Sequence, residues 1–96
     1  MANNKQKIQI QFTSQIWQEG KSFVSYAPQL QVASCGKTQE QARTNLIEAI
    51  EGFIEVSRDM GTLNEILQEA GFAKMPAKHY WIAPEILAFE RLSLTA

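Results

Sequence analysis

From Ile8 to Trp17 apolar and polar residues alternate, with Ile8, Ile10, Phe12 and Ile16 on one side and Gln9, Gln11, Thr13 and Gln15 on the other. A period of two marks a strand with one buried face. Gln18-Glu19-Gly20-Lys21 offers a hairpin turn with glycine available for positive φ, and Ser22 to Ala27 resumes the extended pattern with Phe23, Val24 and Tyr26. Pro28 has no N–H to donate to a ladder, so it ends this strand or lies on an edge. Leu30 to Cys35 reads as a third short strand, closed by Gly36-Lys37. Three strands joined by short connections predict an antiparallel meander.

At Thr38 the period changes. Thr38 followed by Gln41 matches a capping box, in which each side chain satisfies an orphan N–H at a helix start. At 100° per residue Ala42, Leu46, Ala49, Ile50, Phe53, Val56 and Met60 gather on one side, while Glu48, Glu51, Glu55 and Asp59 share the other. The first set is expected to pack on the sheet. Ile47 and Ile54 flank that stripe and are available to a second element or another subunit. Gly61 is a natural stop, and Thr62 with Glu65 forms a second capping box for a short helix through Ala70, closed by Gly71. Ala73 to Ala77, which includes Pro76, reads as a connection. Tyr80-Trp81-Ile82 is extended, and Ile86 to Leu94 alternates like a fourth strand; a helix over Pro84 to Leu92 is the alternative, because proline suits the first helical position. The expected fold is α+β: a small antiparallel sheet in the order β-β-β-α-α-β with the long helix packed on one face. Residues 1–7 form an N-terminal tail and 8–96 a single domain.

Ninety-six residues, 45% of them apolar and 20% charged, are enough for one soluble domain with its own core. The formal net charge of −1 provides no broad basic field for phosphate, which argues against nucleic acid as the default partner. A single cysteine, Cys35, excludes an intrachain disulfide and a Cys-rich metal site and suits a reducing compartment. No run of about 18 apolar residues occurs, and the expectation is a cytoplasmic protein.

Candidate chemistry is sparse. A two-metal nuclease needs clustered carboxylates; Asp59 is the sole aspartate, and the predicted strands and their flanks offer only Glu19, Glu85 and Glu90. Cys35 and His79 are the sole thiol and imidazole, with no oxyanion-hole motif beside them. Cys35 is expected at a strand end and His79 in a loop. There is no glycine-rich phosphate loop, no Cys-x-x-Cys and no His-Glu-x-x-His. No catalytic residue, metal or cofactor is expected.

Interaction residues are better represented. The ridge of Glu48, Glu51 and Glu55 suits a basic partner surface, although amphipathic helices carry such solvated faces routinely and Arg58 lies three residues beyond Glu55. Trp17, Tyr26, Tyr80 and Trp81 are residue types enriched at interface hot spots. Tyr26 is assigned to the core, and Trp17, Tyr80 and Trp81 to a partner. Gln9, Gln11 and Gln15 leave the first strand without charges that protect an edge from pairing, so a homodimer or higher homo-oligomer is expected.

The segment from Tyr26 to Glu55 carries the pattern Pro28-x-Leu30-x-Val32-Ala33-Ser34-x-Gly36-x-Thr38-x-Glu40-x-Ala42-x-x-Asn45-Leu46-x-Glu48-Ala49. It resembles the HicB-like antitoxin family of bacterial and archaeal type II toxin–antitoxin pairs, in its short, single-domain form. Within it Pro28, Leu30, Gly36, Thr38, Ala42, Asn45 and Leu46 have structural roles. The resemblance implies a partial ribonuclease-H-like arrangement and a non-catalytic function: occlusion of a small HicA-like toxin that cleaves messenger RNA. Longer members append an operator-binding segment, and no clear equivalent follows Gly71, so DNA binding by this chain alone is not expected. The alternative is an orphan HicB-fold module, oligomeric or ligand-binding, without a toxin. A weaker third reading is a hydrolase using Cys35 and His79.

Overall fold

The computed structural model describes residues 8–75 and 80–96, and its opening period-two segment divides into two strands, β1 (Gln9–Gln11) and β2 (Gln15–Glu19). At the break the Thr13 N–H donates to Gln29 Oε1 at 3.1 Å and Gln29 Nε2 donates to Thr13 Oγ1 at 2.8 Å. β2 folds back through Gly20 onto β3 (Ser22–Ala27), pairing Gln15 with Tyr26 and Trp17 with Val24. Pro28 follows the last residue of β3, and the Leu30 and Gln31 N–H groups close the next turn on the Ala27 carbonyl. β4 (Val32–Gly36) completes an antiparallel meander in the order β2-β3-β4. Leu30, expected in this strand, lies buried in the turn before it.

α1 (Gln39–Asp59) begins where the capping pattern places it. Thr38 Oγ1 accepts the Gln41 N–H at 3.0 Å. Gln41 Oε1 in return accepts the N–H of Lys37, at 2.6 Å, one residue earlier than a standard capping box. The first turn lies directly on the end of β4: a Cβ at Gly36 would sit 2.6 Å from Ala42 N and 2.9 Å from the Gln41 carbonyl carbon. Beside it the buried Ser25 hydroxyl donates to the Ala42 carbonyl at 2.7 Å, and Asn45 Nδ2 donates to the Cys35 carbonyl at 2.8 Å.

Ala42, Leu46 and Ile50 are buried against the sheet, and Phe53 is half-buried. Ala49, Val56 and Met60, expected on the same face, are exposed, and Ser57 is buried instead. A 21-residue helix is about 31 Å long, whereas a five-residue strand spans about 17 Å. The C-terminal half of α1 therefore outruns the meander and turns a rotated face, with Ile54, towards the other elements of the core. Ile47 remains exposed.

α1 ends in a Schellman motif: Gly61, at φ 73°, donates to the Arg58 carbonyl and Thr62 to the Ser57 carbonyl. This explains why the second capping box does not form. The Thr62 hydroxyl is directed back to the Ser57 carbonyl at 3.3 Å and makes no cap for α2 (Leu63–Glu69). α2 ends in the same way, with Gly71 donating to the Gln68 carbonyl and Phe72 to that of Leu67.

Ala73 to Met75, expected as a connection, forms β5, antiparallel to β6 (Tyr80–Ile82). β6 is also parallel to β1, so a second sheet has the order β1-β6-β5. The architecture is thus α+β, with an antiparallel meander, one long helix packed on it and a second short helix. The expected strand over Ile86 to Leu94 is absent, as is the alternative helix. Both sides of β6 are already taken, and residues 83–96 have no regular structure. The N-terminal tail 1–7, Pro76, Ala77 and His79 lie outside the described residues.

One hydrophobic cluster joins the two sheets: Ala27, Leu30, Leu46 and Ile50 from the meander side meet Leu63, Leu67, Phe72 and Trp81. Two glycine replacements separate the roles of backbone space and backbone entropy. Gly36→Ala forces the α1 start off β4 and is expected to cost about 1–3 kcal/mol. Gly52→Ala has open space within a helix and should add about 0.5–1 kcal/mol. Urea unfolding monitored by circular dichroism checks both signs.

Candidate interaction surfaces

The side of the meander that faces α1 carries Ile16, Phe23, Ser25 and Ala27, because residues paired across antiparallel strands share a face. Among the described residues no helix covers the opposite side. There the register aligns Gln15, Tyr26 and Ala33 in one row and Trp17, Val24 and Cys35 in the next. Trp17 and Tyr26 meet edge to face with ring centroids 6.3 Å apart, and Trp17 Nε1 donates to Glu19 Oε1 at 3.0 Å. Tyr26, assigned to the core from sequence, is half-buried on this open face. Cys35 is exposed on it as a free thiol, and no geometry relates it to His79, which is outside the described residues.

Glu48, Glu51 and Glu55 are exposed together on the outer side of α1. Since α1 covers one face of the meander and Trp17 projects from the other, the carboxylate ridge and Trp17 lie on opposite sides of the molecule. They do not form one site.

Trp81, expected to face a partner, is 2% exposed and is the largest fully buried side chain, whereas Trp17 is 42% exposed. The cause is topological. β6 lies between β1 and β5, so its central side chain is directed into the cluster with Leu63, Leu67 and Phe72. Tyr80 is half-buried at the start of the same strand. Lys74 Nζ sits 5.7 Å from the Trp81 ring centroid, a cation–π arrangement at the rim. Arg58, Asn64 and Lys74 border a cleft of about 290 Å³ floored by Ile8, Leu63 and Trp81.

The sequence reading missed a third surface. Beyond β6 the chain carries Leu87, Phe89, Leu92 and Leu94, all between 69% and 91% exposed. Among the described residues no three His, Cys, Asp or Glu side chains gather as a metal site, and no helix is long and apolar enough to cross a membrane. Compared with protein-family models, curated proteins and solved structures, the chain matches none.

The two tryptophans offer a direct check on this partition. In Trp17→Phe the remaining Trp81 should emit at short wavelength and resist acrylamide quenching. In Trp81→Phe the remaining Trp17 should emit at longer wavelength and be readily quenched. Steady-state fluorescence of both variants distinguishes the assignments, and equal quenching would contradict them.

Proposed function

We propose that this chain is a non-catalytic protein-binding module, a HicB-like antitoxin acting in the cytoplasm by occluding a small, basic, HicA-like toxin that cleaves messenger RNA. The reading rests on the resemblance between Pro28 and Ala49, and one observation supports it. The residues of that pattern build a single strand–turn–cap–helix unit, with Gly36 making room for the helix, Thr38 capping it and Asn45 tying it to β4. The same helix exposes the ridge of Glu48, the last carboxylate of the pattern, with Glu51 and Glu55 beyond it, three carboxylates within two helical turns. Complementary potential of that kind steers association with a basic partner. Trp17 and Tyr80 are further contact candidates; Trp81 is not, being interior.

The test is co-expression with the product of the adjacent gene, reading co-purification and relief of growth arrest. The reading expects a stable complex and rescue. With the purified pair, Glu48→Lys, Glu51→Lys and Glu55→Lys combined should slow association by about tenfold or more and reduce its dependence on salt. A harmless neighbour that forms no complex would remove the antitoxin reading. The second reading, an oligomeric module without a toxin, is favoured by the exposed apolar C-terminal segment.

A further inference from the structure

The segment that follows β6 leaves the body in a defined direction. The Ala83 N–H donates to the Gln11 carbonyl at 3.0 Å, extending the β1–β6 ladder by one bond. The Pro84 ring then lies against Gly71, whose φ is 88° and where a Cβ would come within 3.0 Å of Pro84 Cγ. Ile86 and Phe89 border a shallow depression with Phe12 and Ile82. From residue 87 onwards every position is exposed, and residues 83–96 contain no helix, strand, turn or bend. The radius of gyration is 15.8 Å and the long axis 55 Å, against about 12–13 Å expected for the radius of gyration of a compact chain of this length. The C-terminal segment is therefore an irregular arm, pinned at its base, whose backbone from residue 84 onwards makes no backbone hydrogen bond among the described residues and which exposes large apolar side chains.

The body carries a matching surface. Among the described residues four strand edges are free, those of β1, β2, β4 and β5. β1 and β5 have only three residues each. β4 lies under α1, and Asn45 binds its Cys35 carbonyl. β2 is five residues long, has no proline, carries no charge before Glu19 and is barely touched by α1. It is the least protected edge, and it adjoins the uncovered face of Trp17, Val24 and Tyr26.

We propose that the C-terminal arm of one chain adds as a strand along the β2 edge of a second copy of this chain, in a reciprocal exchange that makes a dimer. Strand addition satisfies the backbone of both partners, and the alternating side chains then fall on both sides of the meander. Once the arm is a strand, Leu87 and Phe89 share one face and Leu92 and Leu94 the other, so one pair reaches the Trp17 side and one the Ile16 side. Eight large side chains from two arms, each hiding on the order of 100–200 Å² together with comparable area on the receiving edge, reach the roughly 1,600 Å² of a stable interface. A net charge of −1 offers little self-repulsion. The proposal is independent of any toxin, because the chain alone suffices to test it.

Sedimentation equilibrium of the full chain across the micromolar range should give twice the chain mass. Leu87→Asp with Phe89→Asp changes only exposed positions, so its circular dichroism should match the parent while dimer affinity falls by roughly 100-fold or more, as when interface anchors are lost. Trp17→Glu should weaken the dimer similarly from the receiving side. Mixing these two variants restores one intact arm-and-edge pair and should yield a mixed dimer stronger than either variant forms alone. A full chain that stays monomeric throughout overturns the proposal, including the case of an arm folded onto its own body. So does an arm variant that dimerises like the parent. A dimer insensitive to Trp17→Glu, or variants that fail to complement, would equally exclude exchange at β2.

Discussion

Between the end of β4 and the first turn of α1 there is no space for a side chain. A Cβ at Gly36 would stand 2.6 Å from the backbone nitrogen of Ala42, closer than any two such atoms can rest. Everything on the helix side of the meander depends on that approach. Ser25 is fully buried, and its hydroxyl reaches an acceptor only because the Ala42 carbonyl is brought to 2.7 Å. An outward shift of the helix would leave a buried donor unpaired, at about 1–3 kcal/mol, and would lift Leu46 and Ile50 from their seats. Thr38, two residues after Gly36, has room to cap the helix because the turn is this tight. The spacing of Gly36, Thr38, Ala42 and Asn45 is thus a description of one contact between a strand and a helix.

That contact explains which parts of the fold could be read from residue order. Period-two and capping signals are local, and they located β3 to the residue and the start of α1 within one. Three other features were hidden because they depend on non-local partners. The break at Thr13 keeps the phase of alternation, with Ile10, Phe12 and Ile16 still directed inward, so no pattern betrays it; its cause is Gln29, sixteen residues away. The apolar stripe of α1 runs straight in sequence, but its partners change along its length from β4 to the elements around Ser57, and Ala49, Val56 and Met60 are left outside. β5 exists only because β6 offers an edge to it, and nothing in Ala73 to Met75 announces a strand.

The candidate contact residues divide for the same reason. Tryptophan signals either a core anchor or an interface anchor, and composition is silent about which. Topology decides: Trp81 lies on a strand flanked on both sides and enters the cluster, while Trp17 lies on an edge strand and projects from the face that lacks a helix. The carboxylate ridge was legible because a helix face follows from spacing alone, yet its distance from Trp17 is a property of layers. Any partner that engages the outer side of α1 leaves the open face of the meander free. Two binding events on one small domain are therefore compatible in space.

The C-terminal alternation from Ile86 to Leu94 shows what a hydrophobic pattern does and does not say. A period of two states that both faces of an extended segment have work to do, one burying apolar groups and the other meeting a second environment. It does not state which chain supplies the neighbour. Among the described residues the adjacent strand, β6, is saturated by β1 and β5, so the pattern finds no ladder here, and beyond Ile86 every side chain is left exposed. A strand whose ladder is completed by another copy has the same alternation as one completed at home. The contact of Pro84 with Gly71 at the base of the segment belongs to this logic, since apolar groups that stay exposed beyond it are retained for a neighbour.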